Sequence, residues 1–256
     1  MNTTVGILGG GGFLGRNLVD YFNSNGFVAT SIDRSNYQSL QGTEFDIFIN
    51  ANGNSRRFWA NQHPEEDRIA SVISVENSIK HFGFKKYIFI SSSDTYPDHH
   101  DPAKTHESTE VDENRLEPYG LHKREAEAIV KKLPNHLILR CSAMIGPGLK
   151  KGIVKDVIEG APLFVTADSY LQFITTGEIS KVIHTLLDQS VKNEIFNCGG
   201  RGSVKVSEIL KIFDKTVESR DGAQKQAYEM GVEKLNRIFP LKTSNAYLKE
   251  FYEKQG

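Results

Sequence analysis

Apolar runs and helix-period stretches alternate along the first half of the chain. Thr4 to Leu8 reads as a buried strand. Phe13 to Asn25 follows at helical spacing, with Leu14, Leu18, Val19 and Phe22 on its inner face and Asn25-Gly26 as its stop. Phe27 to Ile32 predicts a second strand. After a short polar link, Phe45 to Asn50 predicts a third. Pro64 to Phe82 opens with Glu65, Glu66 and Asp67 and continues with Ile69, Val72, Ile73, Val75, Ile79 and Phe82. Proline and acids at its start predict a helix, which Gly83 ends. Tyr87 to Ile90 predicts another buried strand, residues 97 to 117 a polar surface loop, Pro118 to Leu133 a helix and His136 to Arg140 a strand. Alternating strands and helices of this kind predict a parallel sheet covered on both faces.

The second half is more broken. Gly146 to Gly152 reads as a loop, Ile153 to Glu159 as a short helix, and Leu163–Val165 and Leu171–Ile174 as strands. Gly177 to Leu187 predicts a helix and Glu194 to Asn197 a strand. Val206 to Phe213 predicts a helix that could run on toward Val217, and Ser244 to Glu253 a terminal helix. No repeat or clean linker marks a boundary. The expected organisation is a ligand-binding sheet domain over 1–145 and a substrate lobe over 146–256, with some of the latter returning to the sheet.

Composition narrows the classes. A chain of 256 residues can bury a sizeable core, and a formal charge of -1 disfavours nucleic acid or an anionic membrane as partner. There is no long apolar run and no basic start followed by an apolar stretch. Neither a membrane span nor a secretory leader is therefore expected, and a cytoplasmic protein is inferred. Cys141 and Cys198, far apart in apolar contexts, read as reduced core residues rather than a bridge or metal site. His99, His100 and His106 lie among acids, but their spacing matches no ligand pattern, so a solvated loop and no metal are expected.

The candidate chemistry begins where the first strand ends. Gly9, Gly12 and Gly15 are spaced three apart between a strand and a helix, with Phe13 and Leu14 between the last two. Such a turn lets the backbone approach a pyrophosphate, which the helix N-terminus then attracts; Arg16 could add charge. Asp33 ends the second strand, where a carboxylate accepts ribose hydroxyls and repels a 2′-phosphate. That favours NAD, although Arg34 beside it could hold the phosphate of NADP. Ala51-Asn52-Gly53 follows the third strand, at the sheet edge where open α/β sheets bind ligands. Further on, Tyr119 and Lys123 stand at i and i+4 on one helix face. A nearby ammonium should lower the phenol's pKa toward a range useful for proton transfer. Serines 91 to 93 end the preceding strand and could hold a substrate oxygen beside that phenol.

This ordered set resembles the extended short-chain dehydrogenase/reductase family, also called the NAD-dependent epimerase/dehydratase family. The likeness rests on Gly9-x-x-Gly12-x-x-Gly15, Asp46 to Ala51, Ser91-Ser-Ser-Asp-Thr-Tyr96, Pro118-Tyr-Gly-Leu-His-Lys123, Leu139 to Gly148 and Asn193 to Gly200. It implies a Rossmann-type doubly wound parallel sheet with a small C-terminal substrate lobe. It also implies Tyr119 as acid/base and Lys123 as its partner, holding the cofactor ribose. The family serine falls four before the strand-end tyrosine, which gives Ser92; a count through the triplet gives Ser93. Ser92 is preferred, with Ser91 toward the cofactor and Ser93, Asp94 and Ser142 toward the substrate. The resemblance also implies a homodimer through helices flanking the sheet.

The departures matter as much. Few residues separate Asp33 from Asp46, so a helix-and-strand piece that often helps hold adenine is missing and the sheet should be narrower. The Asp-Glu pair of sugar 4,6-dehydratases is replaced by Ser93-Asp94. Where many members carry a phosphate-binding Arg-Asp, the chain reads Leu171-Gln172-Phe173-Ile174; Lys150, Lys151 or Arg201 could stand in. The expected function is an NAD(P)-dependent oxidoreductase or epimerase acting on a hydroxyl/ketone carbon, in carbohydrate or nucleotide-sugar metabolism. A reductase of a non-sugar small molecule, or a cofactor-binding regulatory or scaffold protein of the same fold, are the alternatives.

Overall fold

A computed structural model describes residues 2–99 and 101–254. His100 therefore lies outside the described residues. The chain forms two compact units, neither continuous in sequence. One comprises Met1–Pro97, Glu110–Arg140 and Ser180–Phe196; the other comprises Asp98–Thr109, Cys141–Ile179 and Asn197–Gly256.

The first unit holds a six-stranded parallel sheet. Its strands are β1 (Thr4–Leu8), β2 (Val28–Ile32), β3 (Glu44–Asn50), β4 (Gly83–Ser92), β5 (His136–Cys141) and a last strand, Glu194–Cys198. The spatial order is Glu194–Cys198, β5, β4, β3, β1, β2. Helix α1 (Phe13–Ser24) buries Leu14, Leu18 and Phe22, as its 3.6-residue pattern requires. Helices α2 (Arg57–Gln62), α3 (Pro64–Arg68), α4 (Ser74–His81) and α5 (Pro118–Val130) complete the frame around the site. One sheet face is closed by Phe48, Tyr87, Phe89 and Ile138 packed with Val75 and Phe82, and with Ala126 and Val130 of α5. Each large side chain so buried contributes roughly 1.5–3 kcal/mol. On α1, Tyr21 hydrogen-bonds the His184 ring of helix Thr176–Asp188 at 3.1 Å.

β2 is an edge strand, in keeping with the short link before β3. That link does more than connect. Tyr37 and Leu40 pack on the core cluster, and the Tyr37 hydroxyl meets His81 Nδ1 at 3.0 Å.

Several elements differ from the sequence expectation. The helix expected over 64–82 is interrupted by a π-helical turn at Ile69–Ile73, where Ser74 Oγ donates back to the Ala70 carbonyl at 2.6 Å. α2 has six residues and no apolar period, so nothing in its pattern announces it. β4 runs ten residues, well beyond Tyr87–Ile90. Its Lys86 buries its alkyl stem while the ammonium reaches the Val191 carbonyl at 2.6 Å, so a lysine reads as strand interior.

In the second unit, Ala143–Ile145 pairs with Phe173–Thr175, and Tyr170–Leu171 lies between Val204–Lys205 and Ala227–Tyr228. Leu163–Val165 pairs with Ser219–Gln224. Helix Val206–Ile212 does not continue toward Val217, because Asp214 turns the backbone to φ 49°. Over 98–109 the expected polar loop leaves Ala103, Lys104, His106 and Ser108 exposed, but it is anchored within the second unit. Thr105 is fully buried, its hydroxyl accepts from Gly231 N at 3.0 Å, and His99 lies 4.4 Å from the Tyr228 ring. Cys141 and Cys198 are both buried thiols. Contact with Cys141, together with burial, pushes the Cys198 thiol up. Among the described residues no helix is long and apolar enough to cross a membrane, and no group of His, Cys, Asp and Glu could hold a metal.

Candidate active site

The site is built at the C-terminal ends of β1, β3 and β4. After Leu8, Gly9 N and Gly10 N donate to the Ile32 carbonyl at 2.8 and 3.3 Å, and Gly12 N donates to the Gly9 carbonyl at 2.9 Å. α1 then starts with no side-chain cap and no acid in its first turn. Its leading N–H groups, those of Phe13 and Leu14 included, present a positive dipole end suited to an anion. A Cβ on Gly15 would overlap the Gly9 carbonyl oxygen, so only glycine lets the helix sit this tightly on the turn. Arg16 is held back onto the Gly11 carbonyl at 3.2 Å. The cradle fits a dinucleotide pyrophosphate.

From this cradle the groups continue in two directions. A Cβ at Gly11 would stand 3.6 Å from Asp33 Oδ2. Asp33 Oδ1 accepts from Ser35 N at 2.9 Å and Ser35 Oγ at 2.6 Å, and these bonds hold its carboxyl below the usual range. Asn36 braces the bend by bonding Asp33 N and the Ser31 carbonyl. Arg34 is exposed. In the other direction, a Cβ at Gly9 would lie 3.0 Å from Ala51 O and Asn52 N. Buried Asn50 shapes that turn by accepting from Asn52 N at 3.0 Å and donating to the Tyr87 hydroxyl at 2.8 Å. Two residues on, a Cβ at Gly53 would be 3.3 Å from Lys123 Nζ. A single line therefore runs Asp33, Gly11, Gly9, Ala51, Gly53, Lys123.

The line ends at the phenol. Lys123 Nζ donates to the Ile90 carbonyl at 3.4 Å and lies 6.0 Å from the Tyr119 ring centroid. Ser92 lies near enough to the Tyr119 phenol to influence its pKa. Ser92 ends β4 and caps the short turn Ser93–Thr95, and its hydroxyl donates to Asp94 Oδ2 at 3.0 Å. Arg57 of α2 binds the other Asp94 oxygen at 3.1 Å. Asp94, expected to face the substrate, is thus engaged on both carboxylate oxygens within the protein. Gly120 brings the turn to α5, since a Cβ there would overlap the Asp94 carbonyl oxygen.

The electrostatics depart from the sequence expectation. Burial pushes the Tyr119 phenol above the ordinary tyrosine range; the Asp94 and Asp67 carboxylates add to this, while Ser92 and Arg57 oppose it. Desolvation of a phenolate outweighs the ammonium one helical turn away. In this state Tyr119 is a neutral proton donor.

A second layer fixes α5. Asn61 of α2 accepts from Tyr119 N at 3.2 Å, capping the helix from outside, because Glu117 supplies no side-chain cap. His122 Nδ1 meets the fully buried Asp67 at 2.7 Å, and Asp67 also accepts from Asn54 at 3.0 Å. Glu127 bonds the Arg140 guanidinium at 2.9 and 2.7 Å, Ser91 Oγ donates to Glu127 at 2.7 Å, and Arg140 donates to the Tyr96 hydroxyl at 2.7 Å. Ser91, expected at the cofactor, thus has its side chain committed to this buried network. Of these groups, only Glu127 had a readable signal. It follows Tyr119 and Lys123 at another i+4 step, an acid on a face otherwise turned to the core. Arg57, Asn61 and Asp67 come from elements whose approach to α5 no local pattern encodes.

In the second unit, Ser142 is buried and its hydroxyl has no hydrogen-bond partner among the described residues. Gln172, which follows Leu171 at the expected phosphate-arginine position, donates its amide to the Gly200 and Met230 carbonyls at 2.8 and 3.0 Å. It is an interior brace. Arg201 donates to the Leu241 carbonyl at 2.8 Å.

Comparisons with known proteins place this geometry. Curated protein sequences return no match. Among solved structures, a dTDP-4-dehydrorhamnose reductase from Bacillus anthracis in complex with NADP superposes with a TM-score of 0.80 at 18% identity, covering 99% of each chain. A UDP-galactose 4-epimerase gives a TM-score of 0.80 at 18% identity, covering 98% of each chain. UDP-N-acetylglucosamine 4-epimerase from Methanobrevibacter ruminantium gives 0.78 at 16% identity, covering 100% of this chain and 99% of that one. At these identities the likeness is one of fold. The family model describing the NAD dependent epimerase/dehydratase family matches residues 5–199, which span the glycine turn, the Ser92 strand end and the Tyr119 helix. The chain belongs to the NAD dependent epimerase/dehydratase family.

Proposed function

We propose that the chain is an NAD(P)-dependent reductase or epimerase of a sugar or nucleotide-sugar hydroxyl/ketone carbon, with Tyr119 as its acid/base. The observation that carries this reading is the unbroken line from Asp33 through the glycine turn and Gly53 to Lys123, Tyr119 and Ser92. Bound NAD(P) would supply the redox partner for the substrate carbon. Gly9 to Leu14 would hold the pyrophosphate and Asp33 the adenosine ribose. Lys123 would hold the second ribose beside Gly53. Ser92 orients the substrate oxygen, and Tyr119, kept as a phenol, donates its proton to that oxygen in the reducing direction.

Asp33 supports NAD over NADP, since an ionised carboxylate beside Gly11 repels a 2′-phosphate. A homodimer through helices that include α5 belongs to the same reading, and Ile69, 62% exposed beside α5, supports it. The test assays NADH and NADPH oxidation with dTDP-4-dehydrorhamnose, and epimerisation of UDP-galactose and UDP-N-acetylglucosamine. Turnover is expected with at least one, and Tyr119→Phe should reduce it by about 10²–10⁴-fold while leaving cofactor affinity intact. Cofactor binding without turnover of any probe would favour a regulatory protein, and full turnover by Tyr119→Phe would refute the assignment of the acid/base.

A further inference from the structure

One buried carboxylate lies between the turn after β3 and the helix that carries Tyr119. On α3 the charged neighbours of Asp67 face outward: Glu66 meets His63 at 3.8 Å, and Arg68 pairs with Glu125 of α5 at 3.0 Å. Asp67 is the one buried residue of α3, and it is fully buried. Three donors stand where water would be. Asn54 Nδ2, from the turn after β3, donates to Asp67 Oδ1 at 3.0 Å, and Ser71 Oγ, from the π-helical turn, donates to the same oxygen at 3.4 Å. His122 Nδ1 of α5 meets Oδ2 at 2.7 Å. With Asp67 ionised, that nitrogen carries the ring proton.

Each donor stands beside a group of the site. Asn54 follows Gly53, where a Cβ would be 3.3 Å from Lys123 Nζ and 3.8 Å from Ser71 Oγ. His122 directly precedes Lys123 and comes three after Tyr119, so it shares their side of α5. Asp67 therefore joins the far end of the glycine line to the helix that carries Lys123. Stability alone does not call for this arrangement, because apolar side chains of similar volume commonly hold a core as well as a buried charged pair. A directional pair adds a fixed register between two segments. The same carboxylate is one of the groups that hold the Tyr119 phenol up.

We propose that Asp67, with His122, is a positioning residue that fixes turn 51–54 to α5 and so keeps Lys123 over Gly53, where the second ribose of a nicotinamide cofactor would lie. This rests on the reading of Lys123 as the residue that holds that ribose. Asp67 and His122 touch neither cofactor nor substrate in this role; they act through Asn54 and Lys123. The glycine cradle and Asp33 do not depend on the pair, so the adenosine and pyrophosphate half of the cofactor should not sense its loss.

The test measures affinities of the intact protein for NADH, NADPH and ADP by titration calorimetry. ADP carries the adenosine and the pyrophosphate but lacks the second ribose. His122→Leu removes the ring donor, and His122→Asn puts an amide N–H back where Nδ1 stands. In His122→Leu, affinity for the tighter-binding dinucleotide should fall about tenfold, with that for ADP within about twofold of wild type. His122→Asn should recover most of the loss. If His122→Leu fails to fold, Asn54→Asp breaks the same link from the partly exposed turn. It keeps the acceptor for Arg56 N and sets a second carboxylate oxygen against Asp67, and it should show the same selective loss. An equal fall for dinucleotide and ADP would make the pair a structural brace only and overturn the proposal, as would unchanged dinucleotide affinity. If Lys123→Met weakens the dinucleotide but not ADP while His122→Leu binds as wild type does, the ribose reading survives the loss of the positioning role. Wild-type dinucleotide affinity in Lys123→Met, or no binding of NADH and NADPH by the wild type, removes both.

Discussion

Glu127 and Arg140 form a two-bond ion pair, at 2.9 and 2.7 Å, with neither side chain open to water. The pair ties α5, which carries Tyr119 and Lys123, to β5. Ser91 and Tyr96 occupy further positions on it, from β4 and the turn that follows. Removing one partner would leave a buried charge without compensation. Glu127→Gln or Arg140→Met should each cost about 3–5 kcal/mol in urea denaturation, and a Glu127→Leu/Arg140→Met double variant should recover much of that loss. A single variant costing under about 1 kcal/mol would show that the pair does not brace the helix.

The cradle depends on the absence of a side chain at residue 15. Gly15→Ala pushes a methyl into the Gly9 carbonyl, so the turn or the helix must move. Stability should fall by about 1–3 kcal/mol. NADH affinity, followed by fluorescence titration, should fall with it. Unchanged affinity would mean that the cofactor does not lie on this turn.

Asp33 should set cofactor choice. Its carboxyl is held ionised by Ser35, beside the glycine turn. Asp33→Ser should shift the ratio of NADH to NADPH dissociation constants toward NADPH by roughly tenfold or more, equivalent to about 1.4 kcal/mol. An unmoved ratio would assign the discrimination to another group.

Alkali should weaken the fold. Burial raises the Tyr87, Tyr119 and Tyr247 phenols above their ordinary value. Past a pH of about 10 the unfolded chain releases protons that the folded chain keeps. The unfolded state then binds fewer protons, so stability falls as pH rises, whereas below that value these groups contribute no slope. Thermal midpoints should drop across about pH 9 to 11, and Tyr87→Phe should flatten the drop. A flat midpoint over that window would contradict the burial of these phenols.

Much of the first unit was legible because its signals are local. The glycine spacing, Asp33 at a strand end, and Tyr119 and Lys123 one turn apart are short-range patterns that a backbone period translates directly into position. The same logic failed for α2, which is too short to show a period, and for Thr105, a buried residue in a segment of polar composition. Nor did it show that the side chains of Ser91 and Asp94 bond Glu127 and Arg57 from other elements.

The sequence by itself determined most of the order of strands and helices in the first unit, the glycine turn after the first strand, and the one-turn spacing of Tyr119 and Lys123. Only the tertiary structure decided how those residues behave. The Tyr119 pKa rises because folding removes water and brings Asp94 and Asp67 near, an effect that outweighs the lysine one turn away. Desolvation and contacts between distant segments depend on three-dimensional proximity, and no spacing along the chain encodes them.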